Sequence, residues 1–332
     1  MRIAIVGMGV AGSYIAGRLG GTHEVVGFDR FSERNFDSIC AWGTSKGVLR
    51  AFMKNVGLNF EDYVLHDGKR MIVETHSGPL EIKLKDLCTY DKARLIKDLL
   101  KDQEVHFGQM VLQPPEGFDL VVDSTALRGL LPKVREDLYI PCLEYMIEYG
   151  NAPFDDFYIK PFSNFGGYFW YFPLGDGRAY VGAGDYFRRH VEFLEQFRRK
   201  HGGEAVKRFG RPIRIAPPSL CQPFSEGNVV GVGESIGTVF PVLGEGIIPS
   251  LQCAELFIES LHDLELYKKR VLEKFKIYET IFRLVRSKMQ QRFRWSSQFI
   301  NLLRMFYHMR TNEDRYGLQV RLTDMLKLFQ AF

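Results

Sequence analysis

Two glycine-rich turns, more than two hundred residues apart, hold the residue types in this chain that could do chemistry. The first, Gly7-Met8-Gly9-Val10-Ala11-Gly12, follows the apolar run Arg2–Val6 and precedes a short helical stretch at 13–19, a β-rich run at 24–28 and Asp29. Strand, turn, helix, strand and acid in that order, with 22 residues from Gly7 to Asp29, form a dinucleotide-binding βαβ pattern. Gly7 permits the tight turn, Gly9 lets the backbone reach a pyrophosphate, Gly12 allows helix and strand to pack closely, and Asp29 can accept hydrogen bonds from ribose hydroxyls. A 2′-phosphate would be repelled by Asp29, so NADP is not expected at this turn. The second turn lies in VVGVGESIGTVFPVLGEGI, residues 229–247. There a strand end leads to Glu234, then to a Pro-x-x-Gly-x-Gly turn at Pro241, Gly244 and Gly246, and a helix starts at Ile247. Glycines let backbone approach a bound group, and a helix start offers unpaired N–H donors with positive dipole character. Taken alone, this segment is equally an ordinary strand–turn–helix of an α/β core.

The elements that must position these turns are readable as patterns. Arg2–Val6 has the unbroken apolar character of a central parallel strand, and residues 120–122 before Asp123 read the same way. Helices are expected over 46–55 and 90–101, the latter with Leu95, Leu99 and Leu100 inward. Residues 71–75 and 80–84 read as a hairpin closed over His76-Ser77-Gly78-Pro79. A β-rich block follows at 143–149, 157–161, 167–172 and 179–182, with Pro173 and Gly175-Asp176-Gly177 turning between its last two strands. Its incomplete alternation predicts an antiparallel sheet covered on one face and lining a pocket on the other. From residue 251 the chain reads as helical. Phe275, Tyr278, Phe282, Val285 and Met289 fall three or four apart with basic residues between them, and Trp295, Phe299, Leu303 and Phe306 continue in the same manner.

Composition narrows the function classes. At 332 residues and 45% hydrophobic, the chain can bury a large core in two or three lobes. Net charge is +4, but from residue 265 onward there are fifteen Lys and Arg against six Asp and Glu, so the rest is net negative and the basic character belongs to the tail. The five cysteines are scattered with no C-x-x-C pair, and the eight histidines include no H-x-x-x-H pair. That pattern fits a reducing cytosol and no metal site. Glycines interrupt the apolar start, which reads as strand–turn–helix rather than a signal peptide, and no run of eighteen uncharged apolar residues predicts a membrane span. No motif points to nucleic acid.

Two glycine turns joined by a β-rich insertion suit FAD better than a nicotinamide dinucleotide. FAD is long enough for its adenosine end to lie on the first unit and its isoalloxazine under the late turn. The helix from Ile247 would then place partial positive charge near the flavin's N1–C2=O edge, where reduction concentrates negative charge. The chain resembles the geranylgeranyl reductases within the p-hydroxybenzoate hydroxylase-like FAD proteins. Tyr168-Phe169-Trp170-Tyr171-Phe172-Pro173 is similar to that family's YxWxFP motif and is followed, as there, by a charged turn and a V-G-x-G at Val181-Gly182-Ala183-Gly184. Gly233-Glu234-Ser235 through Pro241, Gly244, Glu245, Gly246 and Ile247 resembles G-D-A … P-x-x-G-x-G-I. Cys40-Ala41-Trp42-Gly43 is similar to the cysteine-glycine loop beside the flavin, and Lys92 stands where the family has an arginine near the cofactor. The resemblance covers roughly residues 2–260. Glu234 stands in place of an aspartate, Ala126 ends a D-A-T-G-like segment in place of glycine, and Trp42 replaces a small residue, where it would narrow the pocket.

The resemblance implies an α/β (α+β) architecture: a Rossmann-like FAD-binding domain with an inserted antiparallel-sheet substrate domain and a helical C-terminal tail. The expected boundaries are 1–62, 89–135 and 220–260 for FAD binding, 63–88 and 136–219 for the substrate sheet, and 261–332 for the tail. The implied activity is saturation of C=C bonds in a geranylgeranyl-type lipid chain, with NAD(P)H or a ferredoxin-like protein as electron donor. Gly7, Gly9, Ala11, Gly12, Asp29, Cys40, Ala41, Gly43, Lys92, Glu234, Pro241, Gly244, Gly246 and Ile247 are the expected cofactor contacts. Trp42, Tyr168, Trp170, Phe172 and Pro173 are the expected substrate contacts, and Cys40 and Tyr168 the candidate catalytic groups. The alternatives are a flavin monooxygenase or dehydrogenase on another hydrophobic substrate, and a flavin-binding protein without catalysis. Tyr168, Trp170 and Phe172 share a strand face that is either pocket wall or core; Cys40 is either substrate-adjacent or an inert buried thiol. The basic tail is either a solvated helical face or, with its interleaved aromatics, a peripheral contact with the inner face of the membrane by a cytoplasmic protein.

Overall fold

The computed structural model of the protein describes residues 1–36 and 40–331. Arg2–Val6 takes the middle of a six-stranded sheet, because every residue after Arg2 is apolar and can be covered on both faces. Glu24–Asp29 and Leu120–Asp123 flank it in parallel, and Glu104–Phe107 and Val229–Gly231 extend the sheet outward, also in parallel. Ser225–Glu226 adds a short antiparallel edge. Arg2–Val6, Leu120–Asp123 and Val229–Gly231 therefore end on the same side of the sheet. Each is followed there by a turn or loop with residues singled out above: 7–9, 124–126 and 232–237. Ligands of open α/β sheets bind along this edge.

The second sheet has seven strands, in the order Glu204–Arg214, Tyr139–Glu148, Arg178–Asp185, Gly167–Gly175, Phe157–Pro161, Arg70–Thr75 and Gly78–Lys83. All neighbours are antiparallel except Phe157–Pro161 and Arg70–Thr75. Successive side chains on Gly167–Gly175 point to opposite faces. Phe169 and Tyr171 go under helix His190–His201, buried with Leu194 and Phe197. Tyr168, Trp170 and Phe172 go to the other face. The expected β block is thus present, but four further strands do not show in the sequence pattern. Gly43–Ser45, Leu87–Tyr90 and Val64–Asp67 form a third sheet of strands too short to show alternation. Glu204–Arg214 has five charged residues among its eleven and includes Pro212, a composition that reads as loop and that an edge strand tolerates.

The tail is helical, as its spacing predicts, and Phe275, Tyr278, Phe282, Val285 and Met289 are all buried. Helix Trp295–Thr311 differs in phase: Leu302, Met305 and Met309 point inward, whereas Trp295 and Phe299 are exposed. Beyond it the chain returns to the body. The Gly317 carbonyl accepts from the N–H groups of Lys85 (2.9 Å), Asp86 (3.2 Å) and Leu87 (3.2 Å), the Gln319 N–H donates to the Lys83 carbonyl at 2.9 Å, and Glu313 pairs with Lys85 at 2.5 Å. Gly317 sits at φ +65°, and a Cβ there would lie 2.7 Å from the Leu87 nitrogen. The tail is therefore stitched to the hairpin region rather than appended to it. Gly317→Ala, strained at positive φ and clashing with backbone, should lose about 1–3 kcal/mol of stability. Denaturant unfolding with an unchanged midpoint would show that this seam contributes nothing.

Candidate active site

One cleft of about 670 Å³ opens where the carboxyl ends of the parallel strands face the seven-stranded sheet. Both glycine turns reach it: Gly7, Gly9 and Ala11 line one part, and Pro241, Gly244, Gly246 and Ile247 line another. Asp29, Lys92 and Glu234 line it as well. Residues separated by over two hundred positions thus share one space.

The first turn separates two duties of glycine. Gly7 lies at φ +92°, its N–H donates to the Phe28 carbonyl at 2.8 Å, and a Cβ there would sit 2.8 Å from the Ser124 carbonyl oxygen. At Gly12 a Cβ would come within 2.1 Å of the Gly7 carbonyl oxygen, so this glycine serves the packing of helix on turn and does not itself line the cleft. Gly9 is different: no heavy atom lies within 4 Å of its absent Cβ, and its φ of −72° suits any residue. The fold does not need glycine there; an approaching ligand would. Asp29 is buried, one oxygen accepting the Met8 N–H at 2.8 Å and the other the Phe31 N–H at 2.9 Å. It fixes the turn and retains lone pairs on the cleft it lines. Ala126 keeps the left-handed conformation a glycine would take, at φ +61°, so the D-A-T-G-like loop holds its shape at a strain of about 1 kcal/mol.

Glu234, an expected cofactor contact, lines the cleft with its carboxylate already engaged by the protein. Its two oxygens accept from Arg211 Nη1 and Nη2, each at 2.9 Å, and one also accepts the Arg214 N–H at 3.0 Å. Arg214 is buried and donates through Nη1 to the carbonyls of Glu234 (2.9 Å), Ser235 (2.8 Å) and Ala126 (3.2 Å), with Asp137 as its counter-ion at 3.0 Å. Burial alone would lower the Arg211 pKa, but Glu234 beside it raises it, so this cation is permanent. Sequence reasoning missed both arginines. They sit on the proline-containing edge strand, and no spacing links them to Glu234.

The aromatic wall is built by absences opposite it. Trp170 pairs in register with Gly182, where a Cβ would lie 2.3 Å from the indole ring; at Gly184 a Cβ would lie 2.5 Å from Cys142 Sγ, and at Gly43, 2.6 Å from Phe172. The V-G-x-G and the cysteine-glycine loop therefore make room for the wall. Trp170 Nε1 donates to Glu144 at 2.9 Å, a buried carboxylate that no motif marks. The Tyr168 hydroxyl donates to the Leu243 carbonyl, tying the wall to the late turn, and burial pushes its pKa up. Cys40, Ala41 and Gly43 line the cleft. Burial lowers the Lys92 pKa, Arg211 adds to that, and Cys40, Glu144 and Glu234 act against it. Two expected substrate contacts are off the cleft. Trp42 is buried with Met146, Leu174 and Tyr180, its ring 4.9 Å from that of Tyr180, so it does not narrow the pocket; Pro173 lies in the strand beyond the lining residues. Among the described residues no group of three or more His, Cys, Asp or Glu could hold a metal.

No protein-family profile matches the chain. Digeranylgeranylglycerophospholipid reductase 2 of Methanothermobacter thermautotrophicus is 32% identical over 97 residues, which is 27% of this chain and 24% of that protein. A geranylgeranyl bacteriochlorophyll reductase-like structure from Thermoplasma acidophilum superposes with a TM-score of 0.70 at 17% identity, covering 94% of this chain and 98% of that one. The two chains share one fold over nearly their whole length. A probable FAD-dependent monooxygenase from Pseudomonas aeruginosa shares it, with a TM-score of 0.64, 16% identity, and coverage of 90% and 99%. The resemblance carried by the two turns and the YxWxFP strand thus agrees with one partial sequence match and with the whole-chain fold. The open space at Gly9 and the clash at Gly12 yield opposite expectations. Gly9→Val should leave thermal stability near wild type while abolishing retention of a dinucleotide. Gly12→Val should cost ~3 kcal/mol or more through overpacking. Equal losses of stability in both would contradict this division.

Proposed function

We propose that the chain is an FAD-dependent reductase that saturates C=C bonds of an isoprenoid lipid chain. The observation that carries this reading is the continuity of the cleft, from the dinucleotide turn through the late turn to an apolar space walled by Tyr168, Trp170 and Phe172. The residues fit FAD: Gly9 leaves a cradle for the pyrophosphate, Asp29 faces the ribose position, and Gly244 and Gly246 bring the backbone of the late turn to the cleft. When bound, FAD would supply the hydride equivalent for one alkene carbon. The chain's own residues hold the lipid, exclude water and supply the proton. Aromatic and aliphatic side chains, among them Met71, Val73, Ile140 and Ile159, would bury the lipid at roughly 0.8 kcal/mol per methylene. Of the two candidate acids, Tyr168 directs its proton to the Leu243 carbonyl and is made a weaker acid by burial. Cys40, half-buried on the cleft, is the better placed donor. Electrons would come from NAD(P)H or a ferredoxin-like protein.

Contact with a membrane surface belongs to the same proposal. Trp295, Phe299, Ile300 and Tyr307 are exposed on helix Trp295–Thr311, with Arg292, Arg294 and Arg304 exposed beside them. Such a face suits the boundary of an anionic bilayer. No helix among the described residues is long and apolar enough to cross a membrane.

Purified protein should carry stoichiometric FAD. With reduced flavin and a geranylgeranyl lipid under anaerobic conditions, it should yield product heavier by the mass of two hydrogen atoms per bond reduced. Oxygen-dependent hydroxylation with no saturated product would assign the cleft to a monooxygenase instead. Phe299→Asp with Ile300→Asp should abolish flotation with anionic vesicles while leaving flavin content intact; undiminished flotation would remove the membrane contact from the proposal.

A further inference from the structure

The helix at the late turn is not a bare N-terminus. Ile247–Glu259 begins after Gly246, and two of its first three positions cannot offer a donor to a ligand. The Ile248 N–H donates to Glu245 Oε1 at 2.9 Å, and Pro249 has no N–H. What remains is the N–H of Ile247, with a carboxylate beside it. A helix N-terminus carries about half a positive charge, so a full negative charge within its first turn outweighs it. Glu245 would thus reverse the sign of the potential at the end of the cleft where the flavin ring is expected.

Arg315 restores it. It comes from the one-turn helix Glu313–Tyr316 of the tail, 70 residues away, and its Nη2 donates to Glu245 Oε2 at 2.8 Å and to the Tyr278 hydroxyl at 2.9 Å. The guanidinium lies over the rings of Tyr316 (4.4 Å) and Phe240 (5.6 Å). Its side chain is only 9% exposed, and both Arg315 and Glu245 line the cleft. The other terminal nitrogen, Nη1, is buried with no hydrogen-bond partner among the described residues. A buried donor left unmet in this way costs about 1–3 kcal/mol unless a ligand meets it. Burial raises the Glu245 carboxyl above the usual carboxylate range, and Arg315 and the Ile248 N–H oppose that rise by favouring the charged form.

We infer that Arg315 is a positioning residue for the cofactor: it cancels Glu245, leaves the helix start net positive, and so favours the reduced, anionic flavin. This rests on the FAD reading above. It assigns to the tail a part in the redox chemistry that neither glycine turn supplies.

The test is the midpoint potential of the bound flavin, measured by dye-equilibrated reduction, in wild type, Arg315→Met, Glu245→Gln and the double variant, with flavin content read first from absorbance. Arg315→Met should shift the potential to more negative values, Glu245→Gln to more positive ones, and the double variant should return close to wild type. Arg315→Lys, which keeps the charge, should stay near wild type even if Arg315→Met loosens the tail. Flavin-loaded Arg315→Met with an unchanged potential, or both single variants shifting in one direction, would overturn the assignment to Arg315 while leaving FAD binding intact. Wild type that takes up no flavin would instead fail the cofactor reading, and the inference with it, before any potential is measured.

Discussion

The contact on which the cleft most depends is the clamp of Arg211 and Arg214 on Glu234. The arginines belong to the edge of the antiparallel sheet, and Glu234 to the loop leaving the parallel sheet. This one carboxylate therefore joins the two halves between which the cleft lies. Glu234 is buried, so removing Arg211 would strand its carboxylate in a poorly solvated place, at about 3–5 kcal/mol. The fork of Arg211 meets both carboxylate oxygens, an arrangement lysine could not reproduce. The longer side chain of Glu234, beside the aspartate of the resembled family, is what reaches across to that strand.

Around this joint the site is formed as much by missing side chains as by present ones. Gly182, Gly184 and Gly43 yield space to Trp170, Cys142 and Phe172, and Gly9 yields it to no protein atom at all. The wall is then fixed from both ends, with Trp170 bound to Glu144 and Tyr168 to the Leu243 carbonyl of the late turn. A movement of that turn would therefore be felt at the substrate wall. The tail enters the same circuit through Arg315 and Glu245, which is why its helices are part of the site and not an appendage.

What could be read from the sequence was whatever local spacing encodes. The βαβ unit, the two glycine turns, the inward faces of the helices over 90–101 and 275–289, and the alternation of Tyr168, Trp170 and Phe172 are all periodic or local features. Arg211, Arg214, Glu144 and Arg315 were not readable, because each acts on a partner far away in the chain, and the arginines sit in segments whose own pattern suggests loop or solvated helix. Trp42 misled for the related reason that a residue in a recognisable motif can face away from the motif's ligand; its ring packs on that of Tyr180, away from the cleft lining. The phase of helix Trp295–Thr311 was ambiguous in the same way. Two apolar stripes run along it, and only packing decides that Leu302, Met305 and Met309 face inward.

The central claim is that the space behind the flavin turn receives a hydrophobic alkene and passes it electrons without oxygen. Its most direct test is a single anaerobic turnover, in which the protein-bound flavin is reduced, a geranylgeranyl lipid is added, and flavin absorbance is followed together with the mass of the lipid. Return of the oxidised flavin spectrum with a matching amount of saturated bond is the predicted result. Flavin that stays reduced beside unchanged lipid until oxygen is admitted would contradict the account.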